Sequence, residues 1–329
     1  MRALFASKPV QAEGGIARLP HGQINPRRGD VRIVVISDLN SQYGSTTYAP
    51  EVHRALAIIP DWQPQLVLCG GDMIAAQSKA LSTDQVQQMW AAFDRTVATP
   101  LRQAQIPFGF TLGNHDASGF QTASGQYTFA RDRDLARSYW QRSRQACGLN
   151  FVDAAHFPFY YTFQLKHLFC LVWDASTAQI SRNQLDWVES SLAQAPPESV
   201  RLVIGHLPLY AVAEQKNKPG EVLHHAEALR SLLERHGVHT YISGHHHAYY
   251  PAEKGKLHLL YAGALGGGPR SLMGSTLAPY KSMSVVDIYL ALRRTRTTTY
   301  NLATLEIVDH RTLPSQITGL NGTIYRQAD

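Results

Sequence analysis

The sequence is poor in the features that define several large classes of protein. It has three cysteines in 329 residues, an odd number without C-x-x-C spacing, and Cys69 and Cys170 lie inside apolar runs. We therefore interpret the thiols as buried and reduced, not as a disulfide framework. No stretch approaches the roughly 20 apolar residues of a membrane span, and the first apolar segment is too short for a secretory signal. We expect a cytoplasmic protein, unless a truncated start hides an export signal.

Charge of one sign is not concentrated anywhere in the chain. The net charge is +6, but the densest basic run, LRRTRTTTY at 292–300, is short. This balance does not single out nucleic acid as a partner and fits an enzyme for anionic substrates equally well. The glycine-rich segment 263–271 lacks the G-x-x-x-x-G-K-[ST] pattern of a P-loop. We expect a loop there, with Arg270 as a candidate for contact with a substrate phosphate.

Strands and helices alternate over much of the chain. Residues 1–30 lack periodicity, and we interpret them as an irregular arm. VRIVVIS at 31–37 and PQLVLCGGD at 64–72 predict buried strands, and the helical spacing between them predicts a helix that begins near Pro50. Another helix and a third strand follow. Residues 117–150 are polar, and we predict an insertion over one face with a short helix at 133–143.

The second half of the chain continues this alternation and then becomes rich in strands. A hairpin, a helix with capping-box spacing at Ser181 and Gln184, and two further strand and helix segments precede residue 247. Residues 256–310 predict mostly strands, including ATLEIVDH at 303–310. The pattern predicts an α/β fold with a second sheet packed on the first, in one domain at 31–310 followed by a tail at 311–329. No internal repeat is evident.

Residues able to bind metal follow the end of five separate predicted strands. In α/β sheets, ligand sites lie beyond the carboxyl ends of the strands, so we expect these side chains to gather on one rim. Carboxylates, carboxamides and imidazoles without thiolates suit divalent ions such as Mn, Fe or Zn. The positions are Asp38 and Asn40, Asp72, Asn114 to Asp116, His206, and His245 to His247.

The ordered motifs of this rim resemble those of the calcineurin-like metallophosphoesterases. The family's D-x-H, GD, GNH followed by D or E, GH, and GHxH correspond here to DLN at 38–40, GD at 71–72, GNHD at 113–116, GH at 205–206 and GHHH at 244–247. The resemblance implies a four-layer α/β/β/α sandwich of two mixed β-sheets flanked by helices. It also implies a two-metal hydrolase of phosphomonoesters or phosphodiesters that acts on a small phosphorylated substrate through a hydroxide bridging the ions.

The same resemblance implies a role for each matching position. His115 resembles the proton donor to the leaving group, and Asp116 is placed to orient it. His246 is expected to point away. Asp72 is the candidate bridge between the ions, which such a two-ion site requires. The first ion would take Asp38, Asp72 and His247, and the second would take Asp72, Asn114, His206 and His245.

Two positions depart from family patterns. Asn40 stands where the first motif ends in histidine, and its neutral carboxamide oxygen suits hard ions such as Mn or Mg better than imidazole does. The first site is therefore expected to prefer Mn, or to be loosely occupied or empty in isolation. Ala75 stands where the purple acid phosphatases supply a tyrosine, which disfavours an iron–tyrosinate centre.

Two alternative functions stay open at this point. A nuclease-type member of the same family would explain the positive charge and would bind DNA with strong salt dependence. A non-catalytic or single-metal binding protein would explain Asn40, although a binding module has less need of His115 and Asp116. Tyr43 or Ser45, which follow the first ligand strand, are candidates for the floor of the pocket. The sequence predicts no oligomeric state.

Overall fold

The structure, a computed structural model, describes residues 18–328. Residues 1–17 of the predicted arm lie outside the described part. All three cysteines are buried and free, as predicted. The strands are β1 Val31–Ile36, β2 Leu66–Cys69, β3 Phe108–Phe110, β4 Asn150–His156, β5 Tyr160–Leu165, β6 Leu168–Val172, β7 Val200–Ile204, β8 Val238–Ser243, β9 Tyr250–Lys254, β10 Leu257–Tyr261, β11 Ser282–Tyr289, β12 Arg294–Asn301, β13 Gln316–Gly319 and β14 Gly322–Arg326.

The helices lie between these strands, as the alternating pattern predicts. Pro50 occupies the first turn of the first helix, and Ser82 and Gln85 form a capping box at the start of the second. None of the helices between residues 18 and 328 is long and apolar enough to cross a membrane. They are α1 Pro50–Ile58, α2 Thr83–Phe93, α3 Thr99–Gln103, α4 Asn114–Ala117, α5 Ala130–Ser143, α6 Arg182–Ala193 and α7 Ala226–Arg235.

The strands form two mixed sheets flanked by helices, which confirms the predicted sandwich class. One sheet has five strands in the order β12-β11-β1-β2-β3, and the other has nine in the order β13-β14-β9-β10-β8-β7-β6-β5-β4. β1, β2 and β3 pair in parallel, and so do β6, β7, β8 and β10. Parallel strands end at one edge, so the residues that follow them are neighbours in space.

Apolar side chains from both sheets form one continuous core. All six residues of β1 are buried, as expected for a strand covered on both faces. At the amino end of β1, Arg32 forms a bidentate ion pair with Asp287 of β11, with both side chains 1% exposed. This buried pair fixes β1 to its antiparallel neighbour at the end of the strand opposite the rim.

Two predicted segments near the carboxyl terminus differ from the structure. ATLEIVDH at 303–310 contains only an isolated bridge at Ile307, and the strand lies instead at β12, in the basic run. Arg and Thr alternate over residues 294–297 with both arginines exposed, and the next three residues are buried, a pattern that charge counting overlooks. The predicted tail at 311–329 is instead part of the nine-stranded sheet as far as residue 328 is described, because β14 pairs with β9 and β13 pairs with β14.

The predicted insertion at 117–150 contributes to the core. Its helix α5 is longer than expected, and five of its residues are buried, including Asp132 and Arg133. The Trp140 ring of α5 stacks on Phe110 of β3 at a centroid distance of 3.7 Å. The polar residues that made this segment look peripheral are partly buried through ion pairs, such as Arg133 with Asp174 at 2.8 Å.

Candidate metal centre

The five predicted strand ends meet on one rim shared by the two sheets. Asp38, Asp72 and Asn114 follow β1, β2 and β3 of the five-stranded sheet, whereas the candidate histidines follow β7 and β8 of the nine-stranded sheet. Their side chains form two candidate ligand groups in which all ligand atoms lie within 4.8 Å of one another. The first group is Asp38, Asp72 and His247, and the second group is Asp72, His206 and His245.

Four of these residues have a backbone conformation that L-amino acids rarely adopt. The φ angles are +52° at Asp38, +53° at Asp72, +64° at His245 and +52° at His247. A non-glycine residue in such a region costs roughly 1–3 kcal/mol and persists where surrounding contacts enforce it. The chain therefore turns sharply at each ligand position, directly after the strand that delivers it. Strain of this kind concentrates at functional sites, and no sequence motif indicates it.

Glycines in the motifs permit the close approach of the loops. Gly71 has φ +96°, and a Cβ at Gly113 would lie 2.1 Å from Asp72 Oδ1. Any side chain at residue 113 would therefore displace the Asp72 carboxylate. The glycines preceding Asp72 and Asn114 serve the packing of the ligand loops.

Ligand-type atoms of the second group converge on one small space. His206 Nε2 lies 3.1 Å from Asn114 Oδ1, 3.2 Å from His245 Nδ1 and 3.3 Å from Asp72 Oδ2. The other nitrogen of His206, Nδ1, donates to the carbonyl oxygen of Gly70 at 2.7 Å. That bond turns Nε2 toward the shared space, as a metal-binding imidazole requires.

The first group is arranged around Asp38. Its Oδ1 lies 3.0 Å from His247 Nε2, and its Oδ2 accepts a hydrogen bond from Ser37 Oγ at 2.7 Å. His247 Nδ1 donates to the carbonyl oxygen of Gly268 at 3.0 Å. Asn40 is buried beside this group, and a Cβ at Gly267 would lie 3.4 Å from the His247 ring and 3.5 Å from Asn40 Oδ1. The predicted carboxamide and the His247 ring therefore both lie next to Gly267.

Neighbouring charged groups of the rim shift one another's pKa values. Burial raises the pKa of Asp72, but the charges of His206 and His115 outweigh burial, and the net pKa lies below its usual range. Burial alone would lower the pKa of His206, yet the Asp72 carboxylate raises it to about 9. Burial and the charge of His206 hold the pKa of His245 well below its usual range. In the metal-free protein a proton on His206 therefore balances the Asp72 carboxylate, and a cation that binds there must displace this proton.

These residues fit divalent ions. The second group brings an imidazole nitrogen of His245 and one of His206 within 3.2 Å of each other, next to a carboxylate and a carboxamide oxygen. Two imidazole lone pairs that face each other need a cation or a proton between them. Nitrogen and oxygen ligands without thiolate suit Mn, Fe or Zn, and Asp72 belongs to both groups, as a carboxylate shared by two ions must.

His115 and Asp116 do not interact as predicted. The Asp116 carboxylate accepts from the backbone N–H groups of Gly113 and Ile74, each at 2.9 Å, so it braces the loop and not the imidazole. Burial and the charge of Asp72 raise the pKa of Asp116 to about 8. Within the described residues, the buried Nδ1 of His115 has no hydrogen-bond partner. Its Nε2 lies 4.0 Å from Asp72 Oδ2, at the edge of the rim.

The middle histidine of GHHH lies outside both groups. His246 Nδ1 accepts from the backbone N–H groups of Val212 and Ala213 at 3.2 and 3.3 Å, and its Nε2 donates to the carbonyl oxygen of Glu221 at 3.0 Å. β8 has already ended at Ser243, so strand alternation is not the reason for this orientation. The left-handed conformations of residues 245 and 247 direct the three rings apart.

Two residues that orient candidate ligands are absent from the sequence prediction. Gln77 Oε1 accepts from Asn114 Nδ2 at 2.7 Å and leaves the carboxamide oxygen facing His206. Glu221 Oε2 lies 2.7 Å from His245 Nε2. Neither residue follows a strand or matches a motif. Only the positive φ of Gln77, +65°, distinguishes it, and that is a structural signal.

The three residues predicted to line the pocket or contact phosphate lie in different places relative to the rim. The Tyr43 ring, 60% exposed, packs against the His115 ring at a centroid distance of 5.1 Å. Ser45 bonds within its own loop, to Thr47. Arg270 Nη1 donates to the carbonyl oxygen of His245 at 3.2 Å, which places its guanidinium beside the second group.

Comparison with known proteins agrees with this geometry. The profile of the calcineurin-like phosphoesterase family matches residues 31–249, more than half of the chain. Tartrate-resistant acid phosphatase type 5 of Rattus norvegicus is 40% identical over 68 residues, which are 21% of this chain and 19% of the relative. The human protein of the same name is 39% identical over 69 residues, 21% and 20% of the two chains. The match thus spans about a fifth of the length of these relatives.

Among solved structures, one similar protein is described as GAP50, the anchor in the inner membrane complex of Plasmodium. It superposes with a TM-score of 0.54 at 14% sequence identity, over 85% of this chain and 87% of that one. At this identity the likeness supports the fold alone. Fold, rim geometry and family profile agree, and the chain belongs to the calcineurin-like phosphoesterase family.

Proposed function

We propose that this protein hydrolyses phosphomonoesters or phosphodiesters of small substrates with the help of two divalent ions. The convergence of two ligand groups on the shared Asp72 carries the proposal, because a shared carboxylate is what a two-ion phosphoesterase needs. Asp38, Asp72 and His247 would hold one ion, with Asn40 as a further donor. Asp72, Asn114, His206 and His245 would hold the other.

When bound, the ions would polarise the phosphoryl oxygens and supply an activated water. The chain's own contribution is to fix the ligands before substrate arrives. Gly70, Gly268 and Glu221 each engage the outer nitrogen of one candidate histidine, so little reorganisation is needed on binding. Arg270, beside His245, adds a positive charge that favours an anionic substrate.

His115 would donate a proton to the departing alkoxide. Its Nε2 is at the rim, 4.0 Å from Asp72 Oδ2, and its side chain is 24% exposed, so a leaving group can reach it. The backbone N–H of His115 donates to Asp72 Oδ1 at 2.9 Å, which couples the position of the donor to the shared carboxylate. Asp116 supports this arrangement through the backbone of Gly113.

The test is hydrolysis of a nitrophenyl phosphate monoester and a bis-nitrophenyl diester by metal-stripped protein, with Mn, Fe, Zn or Mg added back singly. We expect turnover to return with at least one metal, and the monoester-to-diester ratio then assigns the substrate class. His115→Asn should lower kcat by about 10²-fold or more, the usual contribution of a positioned acid. If folded protein binds an ion but hydrolyses neither ester with any metal, the result would instead support a metal-binding role without catalysis.

A further inference from the structure

The loop 212–223 leads from β7 to α7 and passes beside the second ligand group. It carries Glu221 and Lys216, which no motif of the rim includes. Glu221 Oε2 lies 2.7 Å from His245 Nε2 and 2.7 Å from Lys216 Nζ. The side chains of Glu221 and Lys216 are only 21% and 16% exposed, and that of His245 is 7% exposed. The three form a compact, largely buried row that ends at the candidate metal ligand.

The contact with Glu221 decides which nitrogen of His245 can bind a metal. A carboxylate only accepts hydrogen bonds, so the 2.7 Å contact requires a proton on Nε2 of His245. Lys216 Nζ is 3.5 Å from the same nitrogen, too far to compete with the carboxylate. With Nε2 protonated, the lone pair resides on Nδ1, which faces His206 Nε2 at 3.2 Å.

Two further sets of contacts hold this loop in place. His246 binds both ends of it, through the backbone N–H groups of Val212 and Ala213 and the carbonyl oxygen of Glu221. The turn between β13 and β14 holds the other side, where Asn321 Nδ2 donates to the carbonyl oxygens of Leu209 and Leu223 at 2.6 and 2.9 Å.

We propose that Glu221 is a positioning residue for the metal centre, held by Lys216, which fixes the tautomer and ring orientation of His245 so that Nδ1 faces the second ion. His246 and the turn at Asn321 hold in place the loop that carries Glu221. The inference rests on the proposed function, because it requires His245 to be a ligand. Outer partners of this kind typically change metal affinity by 10–100-fold.

The experiment measures Zn²⁺ and Mn²⁺ binding to metal-stripped full-length protein by calorimetry, without substrate. We expect Glu221→Ala to weaken one of the two binding events by about 10–100-fold and to leave the other unchanged. Glu221→Gln should recover part of the loss, because its amide oxygen can accept the same proton from Nε2. Lys216→Met should weaken the same event by less than Glu221→Ala does.

Glu214→Gln is the matched control, since Glu214 belongs to the same loop and is exposed. It should bind both ions as the unmodified protein does. The melting temperature of each metal-free variant shows whether the fold is intact, and it should not change with Glu221→Gln. A low affinity accompanied by a large loss of metal-free stability in both Glu221 variants would indicate a structural role and overturn the proposal.

Two other outcomes are also decisive and can be told apart. If the unmodified protein binds two ions and both Glu221 variants bind them equally tightly, the positioning role is wrong while the proposed function survives. If the unmodified protein binds no ion under any condition, the proposed function and this inference both fail.

Discussion

The two ligand groups of the rim share Asp72 but are held in different ways. In the first group, the main chain provides most of the support, through the carbonyl of Gly268 to His247 and the N–H of His245 to Asp38. In the second group, the carbonyl oxygen of Gly70 holds His206, but side chains from distant loops orient the other two ligands outside Asp72. Gln77 fixes Asn114, and Glu221 lies against His245.

The fold itself provides the main-chain support of the ligands, whereas the side-chain support comes from individual residues in loops. Main-chain support depends on the path of the backbone and not on side-chain identity, so it survives most substitutions. Side-chain support depends on single residues outside the motifs, so it can change without altering the fold. The first group is also the one in which a neutral carboxamide, Asn40, replaces imidazole. We therefore expect the second group to bind the tighter ion and to be the more sensitive to remote substitutions.

Removal of the shared carboxylate should have the largest effect. Asp72→Ala takes a ligand from both groups, so we expect the loss of both ions and a fall in kcat/KM of at least about 10³-fold, from several kcal/mol of lost transition-state stabilisation. Calorimetric titration with Mn²⁺ and the nitrophenyl assay measure the two effects. Retention of metal-dependent hydrolysis in this variant would refute the shared-carboxylate arrangement itself.

Removal of a ligand from one group should separate the two ions. His206→Ala removes an imidazole of the second group only, and His247→Ala removes one of the first. We expect each variant to retain one binding event and to lose about 10²-fold or more in hydrolysis, because two ions act together on the phosphoryl group. Metal content per chain after gel filtration checks this. Equal loss of both ions in either variant would show that the groups do not bind independently.

Substitution of Gln77, which orients a ligand without binding metal itself, should weaken metal binding at the second group alone. Gln77→Asn keeps a residue that tolerates a positive φ but withdraws the amide that holds Asn114 at 2.7 Å. We expect the tighter ion to be bound about 10-fold more weakly, within the range seen for outer partners, with the weaker ion unaffected. Gln105→Asn is the matched control, since Gln105 also has a positive φ and is exposed. A change in the weaker ion instead would contradict the division between the groups.

The sequence predicted the rim because strand ends and ligand types are both local patterns. Asp38, Asp72 and His206 each follow an apolar strand directly, and parallel strands bring such residues to one edge. Glu221 and Gln77 could not be predicted in this way, because their roles depend on contacts across long loops. The partnership of Asp116 with Gly113 and Ile74 was missed for the same reason, since it depends on where the Asp116 side chain turns.

The fold was predicted where burial follows a simple period. The mostly apolar β1 and the helical spacing of α2 are clear in the sequence, whereas β12 has exposed arginines at Arg294 and Arg296 and buried residues only in its second half. β13 and β14 are short, and only pairing with β9 makes them part of the sheet. Strand propensity depends on such neighbours more than helix propensity does, which explains why the errors concentrate at the carboxyl terminus.

The smallest expected effect comes from restoring an imidazole to the first group. Asn40→His replaces a neutral oxygen donor with a stronger ligand for Zn or Fe, so we expect the weaker ion to bind more tightly, by less than about 10-fold, and to lose its preference for Mn. Asn40 is only 5% exposed, and the larger ring costs roughly 1–3 kcal/mol if the site cannot expand. The melting temperature of metal-free protein is therefore measured beside the titration, and Asn150→His on the exposed face of β4 is the control.

If Asn40→His creates activity in a protein that otherwise has none, Asn40 marks a lost site and the first group is a remnant. If activity is present beforehand and only metal preference shifts, the carboxamide is a working ligand and the two groups differ in strength but not in kind.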